Sequence, residues 1–97
     1  MNKINSYIGF AKRSRAIVFG EDKCLACKNA KLIIYASTLS NNFTSKVVAT
    51  NIPFCQLEEQ IYTGLEINAK VFAITDKNLA LAIQKELTIG GNKFDNK

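Results

Sequence analysis

The sequence predicts an α/β fold in which helices pack on both faces of a central sheet, a three-layer α-β-α sandwich. Three observations carry this. Four short runs rich in β-branched and aromatic residues recur along the chain, and segments with helical apolar spacing separate and flank them. The resulting order is α-β-α-β-α-β-α-β-α, and alternation of this kind buries a sheet between two helical layers. At 97 residues the chain supplies one domain, since single cores commonly run to about 100–150 residues.

Ile4, Tyr7, Ile8 and Ala11 follow the i, i+3, i+4, i+7 pattern and predict a first helix over residues 3–13, with Asn2 as its cap. Ala16-Ile17-Val18-Phe19, closed by Gly20, reads as a strand. Glu21 and Asp22 then open a short helix to about Lys28, where their charge suits the positive end of the helix dipole. Lys31 to Ala36 is nearly all apolar, as a strand buried on both faces must be. Ser37 to Asn42 supply turn and cap residues ahead of a helix at about 43–49. Asn51-Ile52-Pro53-Phe54-Cys55 is a turn running into a short strand, with Pro53 at its start or edge. Residues 57–63 read as another short helix, ended by Gly64 as a left-handed cap. Val71-Phe72-Ala73-Ile74 is the last strand. Asp76 caps a final helix whose buried side is marked by Leu79, Leu81, Ala82, Ile83 and Leu87. The domain thus spans residues 1–89, and Gly90-Gly91 with the polar residues to 97 read as a disordered tail.

No apolar run approaches the ~20 residues that cross a bilayer, and the N-terminal residues lack the apolar stretch and cleavage site of a secretory signal. A cytoplasmic protein with no membrane partner is the expectation. Its three cysteines, Cys24, Cys27 and Cys55, are then reduced thiols. The net charge of +5 is unevenly placed. Residues 1–50 carry eight Lys and Arg against Glu21 and Asp22, whereas residues 51–97 carry five Lys against six acids. A basic half beside a near-neutral one is the footprint of a polyanion binder, and equally of a chain kept soluble by its charge.

Histidine is absent, which removes Ser–His and Cys–His nucleophile pairs and the common zinc ligand sets. Gly20 stands alone at a strand-to-helix turn, with neither a phosphate-binding loop nor a dinucleotide fingerprint around it. Glu58-Glu59 and Glu21-Asp22 are adjacent on helices, and adjacent residues do not converge on one reacting centre. No catalysis, cofactor, metal or small-molecule substrate is therefore expected. Cys24-x-x-Cys27 follows a strand at the start of a helix, where thioredoxin-like proteins keep a redox pair. However, Leu25-Ala26 supply no turn between the thiols, and Cys55 is the one soft ligand left, too few for a zinc site. Packing as small core residues is the simpler reading. Lys12-Arg13-Ser14-Arg15 leads into a strand that points at the helix N-terminus at Gly20, a setting suited to an anion or an RNA phosphate.

The run from Ile8 to Asp22, I-G-F-A-K-R-S-R-A-I-V-F-G-E-D, resembles the opening of the small bacterial YlxQ-like proteins of the ribosomal L-seven-Ae/L-thirty-e superfamily. The family rhythm there is a helix ending L-A-x-R-A-G, a strand, then G-E-E or G-E-D. Lys31 to Ala36, Asn51-Ile52-Pro53, Glu58-Glu59 with Gly64, and Val71 to Ala80 continue the match in the same order, over about residues 4–87. The resemblance implies a mixed four-stranded sheet and a non-catalytic function in binding kink-turn-like or ribosomal RNA, with the ribosome as a candidate partner. It also implies that RNA lies against the start of the second helix, Gly20, Glu21, Asp22 and Lys23, and against the loop before the last strand, Leu65, Glu66, Ile67, Asn68 and Ala69. On this view Gly20 lets the backbone approach, and Glu21, Asp22 and Lys23 meet base edges or sugars. Lys12, Arg13, Arg15 and Lys28 neutralise phosphates. Kink-turn binders typically carry Asn and Glu at the positions of Asp22 and Lys23, and a lysine is common at that of Ala26, so base recognition is expected to differ here. The alternative from another class is a protein–protein adaptor on the same fold without RNA affinity. A thiol-redox protein using Cys24 and Cys27 is the third.

Overall fold

The computed structural model describes residues 2–39 and 41–89, and the tail expected at 90–97 lies outside them. Among the described residues the elements alternate as α1 Asn2–Ser14, β1 Ile17–Phe19, α2 Glu21–Ala26, β2 Leu32–Ala36, α3 Asn41–Ala49, β3 Phe54–Leu57, α4 Glu59–Thr63, β4 Val71–Ile74 and α5 Lys77–Ile89. The four strands form one sheet in the order β1-β4-β2-β3. β4 runs antiparallel to both β1 and β2, and β3 runs parallel to β2. The sheet is therefore mixed, as expected.

The period of two along the strands divides the apolar residues between two cores. Leu32, Ile34 and Ala36 of β2, Cys55 and Leu57 of β3, and Phe72 and Ile74 of β4 face the layer of α1, α4 and α5. Ile4, Ile8 and Ala11 of α1, Tyr62 of α4, and Ile83 and Leu87 of α5 close that core. Ile33, Tyr35, Phe54, Val71 and Ala73 face the other layer, where Cys24 of α2 and Phe43 and Val47 of α3 meet them. Every residue of β2 and β4 is buried, which is why both strands read as unbroken apolar runs. The one long polar tip in this second core is satisfied: the Tyr35 hydroxyl lies 3.1 Å from Thr44 Oγ1, and its ring meets Phe43 edge-on at 5.1 Å.

Several boundaries, one cap conformation and one helix face differ from the sequence expectation. α2 stops at Ala26, and Cys27 is extended, because the chain must turn through Lys28 and Asn29 to bring Lys31 beside Ile74. α3 begins two residues earlier, at Asn41. Leu57 belongs to β3 and pairs with Ala36, since the alternation that buries Cys55 also buries Leu57. Gly64 is not left-handed: it continues the helical turn at φ −64, and the chain reverses two residues later at Glu66, φ 57. A side chain at Gly64 would press its Cβ to 3.3 Å from the Ile61 carbonyl, which accounts for a glycine there. On α5 the buried stripe is Leu79, Ala80, Ile83 and Leu87, whereas Leu81 is 54% exposed. Leu81 stands two residues from Leu79, about 200° round a helix of 3.6 residues per turn.

The exit of α1 uses a cap with an unusual occupant. The Ala16 amide donates to the Ala11 carbonyl at 2.8 Å and the Arg15 amide to that of Lys12 at 3.4 Å, with Ala11 and Ala16 both buried. This is a Schellman cap, and its left-handed position is held by Arg15 at φ 60. Five residues on, Gly20 adopts φ 99 and ψ 150, a region open almost only to glycine. Replacing Arg15 by Gly should therefore stabilise the fold by about 1 kcal/mol, a rise of roughly 4–8 °C in Tm. Gly20→Ala should destabilise it by roughly 1–3 kcal/mol even though no atom lies within 4 Å of the new Cβ. Thermal denaturation of both variants checks the opposite signs.

The cysteines are divided between the two cores, Cys24 and Cys27 on one face of the sheet and Cys55 on the other. Cys24 is buried in the α2–α3 core with its thiol donating to the Val18 carbonyl at 3.4 Å, while Cys55 is buried in the other core across the sheet. Cys27, half-buried, caps the end of α2. Burial, with the neighbouring Cys27 sulfur second, pushes the Cys24 thiol up to about 12 from 9.0. In native protein at pH 8, a chromogenic disulfide reagent should modify Cys27 first and reach Cys24 and Cys55 only on unfolding. A thiol whose folded pKa is raised favours the fold while it stays protonated. Its contribution is therefore complete below pH 9 and is lost as pH climbs from 9 through about 12. Denaturant midpoints measured across that range should fall more steeply for the native sequence than for Cys24→Ala.

Candidate functional site

β1 and β4 pair with Phe19 opposite Phe72, so the end of β1 and the start of β4 share one end of the sheet. There the Gly20 amide donates to the Val71 carbonyl at 3.2 Å. The first turn of α2 thus stands beside the loop that precedes β4, and Gly20 to Lys23 and residues 65–69, distant in sequence, meet. Glu21, Asp22 and Lys23 are all exposed. Gly20 caps α2 without any side-chain hydrogen bond.

The loop before β4 is held from beneath. Leu65 is 4% exposed and packs into the α1–α4–α5 core. Expected among the RNA-contacting residues, it instead anchors the loop, because its side chain is spent on core packing. Glu66 and Asn68 are exposed, with Ile67 and Ala69 half-buried. The Tyr62 hydroxyl donates to the Ala69 carbonyl at 2.7 Å, and burial raises the pKa of that phenol. Lys70 Nζ reaches Glu59 Oε2 at 3.3 Å, and Thr38 donates to Glu59 Oε1 at 3.0 Å. The Thr38 hydrogen bond, then that of Lys70, holds the Glu59 carboxyl below its usual range. A groove of about 420 Å³ opens on one side of the loop, lined by Lys12, Phe19 and residues 66–69. Phe19 is 37% exposed there. Phe19 and Tyr62 were not singled out from the sequence. The available signals were an aromatic residue directly before the turn glycine and a lone tyrosine in a short polar helix.

The cations do not gather here. Lys12 lines the groove, whereas the Arg13 guanidinium lies 6.0 Å from the centre of the Phe10 ring on the outer side of α1. Arg15 sits at the opposite end of β1, next to Ala16, whose carbonyl accepts from the Thr75 amide at 2.9 Å. Lys28 leads into the same far end, where the Lys31 amide donates to Ile74. Three strand residues, about 10 Å of chain, separate the two ends of β1. The Gly20 end carries Glu21, Asp22, Glu58, Glu59 and Glu66 with Lys3, Lys23, Lys70 and the side chain of Lys12, and the far end carries Arg15, Lys28, Lys31 and Lys77 with Asp76. Charge is therefore divided along the strand axis. α2 is six residues long and opens on two carboxylates, so its first turn offers acceptors to amino, imino and hydroxyl donors and repels phosphate. Among the described residues no charged side chain is buried, and no cluster of His, Cys, Asp or Glu is placed to hold a metal ion. No described helix is long and apolar enough to cross a membrane.

No family model matches this chain, and no curated protein matches it. A solved structure, described as that of a protein with unknown function from Bacillus halodurans C, is similar with a TM-score of 0.72, covering 89% of this chain and 97% of that one at 18% identity. That likeness shows a shared fold, a small α/β domain with helices packed on a four-stranded mixed sheet.

Proposed function

We propose that this chain is a non-catalytic RNA-binding protein that reads structured RNA at the Gly20 end of the sheet. The observation that carries this is the adjacency of the first turn of α2 and the loop before β4 across the Gly20–Val71 hydrogen bond. The motif order that resembles the L-seven-Ae/L-thirty-e proteins implies these same two segments. The chemistry of the site supports the reading. Glu21 and Asp22 accept from guanine edges or ribose hydroxyls, the Asn68 amide both donates and accepts, and Lys12 and Lys23 pair with phosphates. The exposed ring of Phe19 offers a stacking surface for a base. Exposed acceptors around a bare glycine turn suit binding, whereas acid–base catalysis is served by groups shifted through burial.

Two measurements test this. Log affinity for a structured RNA should fall linearly with log salt, and Lys12→Ala or Lys23→Ala should each flatten the slope by about 0.7–0.9. Arg15→Ala and Lys28→Ala, at the far end of the sheet, should leave the slope unchanged. The double substitution Asp22→Asn, Lys23→Glu should sharpen preference for a kink-turn over a plain duplex by about tenfold, on the scale of one base contact of about 1–3 kcal/mol in DNA readout. If the native chain ignores both RNAs and the double variant discriminates no better, an adaptor role on this fold replaces the proposal.

A further inference from the structure

The far end of the sheet carries a surface of different chemistry. A groove of about 380 Å³ opens there between the first half of α5 and the turns that lead into β2 and β3. Ala30, Ile52 and Pro53 form its aliphatic floor, and Lys31, Lys77 and Leu81 form its walls. Lys77, Leu81 and Lys85 are all exposed and stand four residues apart, so they line up along one face of α5. Leu81, at 54%, is the most exposed large apolar side chain among the described residues, and it lies between two lysines. Among the described residues no carboxylate forms an ion pair with Lys31, Lys77 or Lys85. The nearest acid in sequence, Asp76, directs Oδ1 to the Leu79 amide at 3.0 Å as the cap of α5. The next, Glu86, is half-buried and projects from a different face of the helix.

We infer that this groove docks an acidic protein segment whose apolar side chain enters between Leu81 and Pro53 while flanking carboxylates meet Lys31 and Lys77. An aliphatic centre with a cationic rim is the complement of such a segment. Nucleic acid fits less well. The groove lining has no aromatic ring to stack a base and no arginine fork to hold a phosphate. The surface lies across the sheet from the Gly20 end, so one molecule can engage the two partners together.

The test uses the full chain, isotopically labelled for amide NMR. The probe is the peptide Glu-Glu-Leu-Phe-Glu-Glu, with Glu-Glu-Ser-Ser-Glu-Glu as a control of equal charge. The apolar peptide should shift the amides of Ala30, Lys31 and Leu81 and leave those of Glu66 to Ala69 in place. It should bind at least tenfold more tightly than the serine control. Leu81→Ser, which alters an exposed position, and the pair Lys31→Glu, Lys77→Glu should each weaken it at least tenfold while RNA affinity stays as it was. Three results overturn the inference: no shifts at the groove, equal binding of the serine peptide, or stronger groove shifts from a uridine oligonucleotide than from the peptide.

Discussion

The structure depends on β4 lying between β1 and β2. It is the last strand among the described residues, yet it takes hydrogen bonds on both edges and at both ends. At one end Gly20 donates to Val71 and Ala36 donates to Lys70; at the other, Thr75 donates to Ala16 and Lys31 donates to Ile74. Phe72 and Ile74 serve one core while Val71 and Ala73 serve the other, so this strand, like β2, ties the two cores together. Its partners are contributed by segments 36 to 57 residues earlier, from Tyr35 opposite Val71 to Ile17 opposite Ile74. Closure at such separation is entropically costly, and pairings of this kind slow folding.

Both proposed surfaces follow from that placement. Because β1 and β4 are antiparallel, the turn after β1 and the loop before β4 are thrown together at one end of the sheet. The turn before β1, the turn into β2 and the start of α5 are thrown together at the other. Residues that are near neighbours in sequence, such as Arg15 and Gly20, consequently lie at opposite ends of the sheet. The basic N-terminal half does not become a basic face. Its cations are shared between an end rich in carboxylates and an end rich in lysine.

β1 is bracketed by two positive φ angles, Arg15 at 60 and Gly20 at 99. At Gly20 the residue type suits the backbone. At Arg15 a β-carbon is tolerated at a cost of about 1–2 kcal/mol, offset by the two cap hydrogen bonds and the burial of Ala11 and Ala16 in one core. Glu66, at φ 57 in the loop before β4, is strained in the same way. Tyr62, Leu65 and the Glu59–Lys70 pair hold that loop in the shape that presents Glu66 and Asn68. The exposed ion pair contributes little by itself, and the buried tyrosine and leucine do most of the holding.

By itself the sequence determined what local physics controls. Apolar periodicity marked the first and last helices, acidic, turn and glycine residues marked the short ones, unbroken apolar runs marked the two strands buried on both faces, and Asp76 was recognisable as a cap. These signals act over a few residues, so they survive without tertiary context. Boundaries that tertiary contacts settle were missed: Leu57 joined the sheet because its side chain completes the core, and Gly64 stayed helical because the reversal falls at Glu66. The candidate segments, Gly20 to Lys23 and 65–69, were legible through the motif order, but not that Leu65 is an anchor or that Arg15 and Lys28 lie at the far end. Only the tertiary structure decided those points. The antiparallel pairing of β1 with β4, not proximity along the chain, chooses which side chains share an end of the sheet.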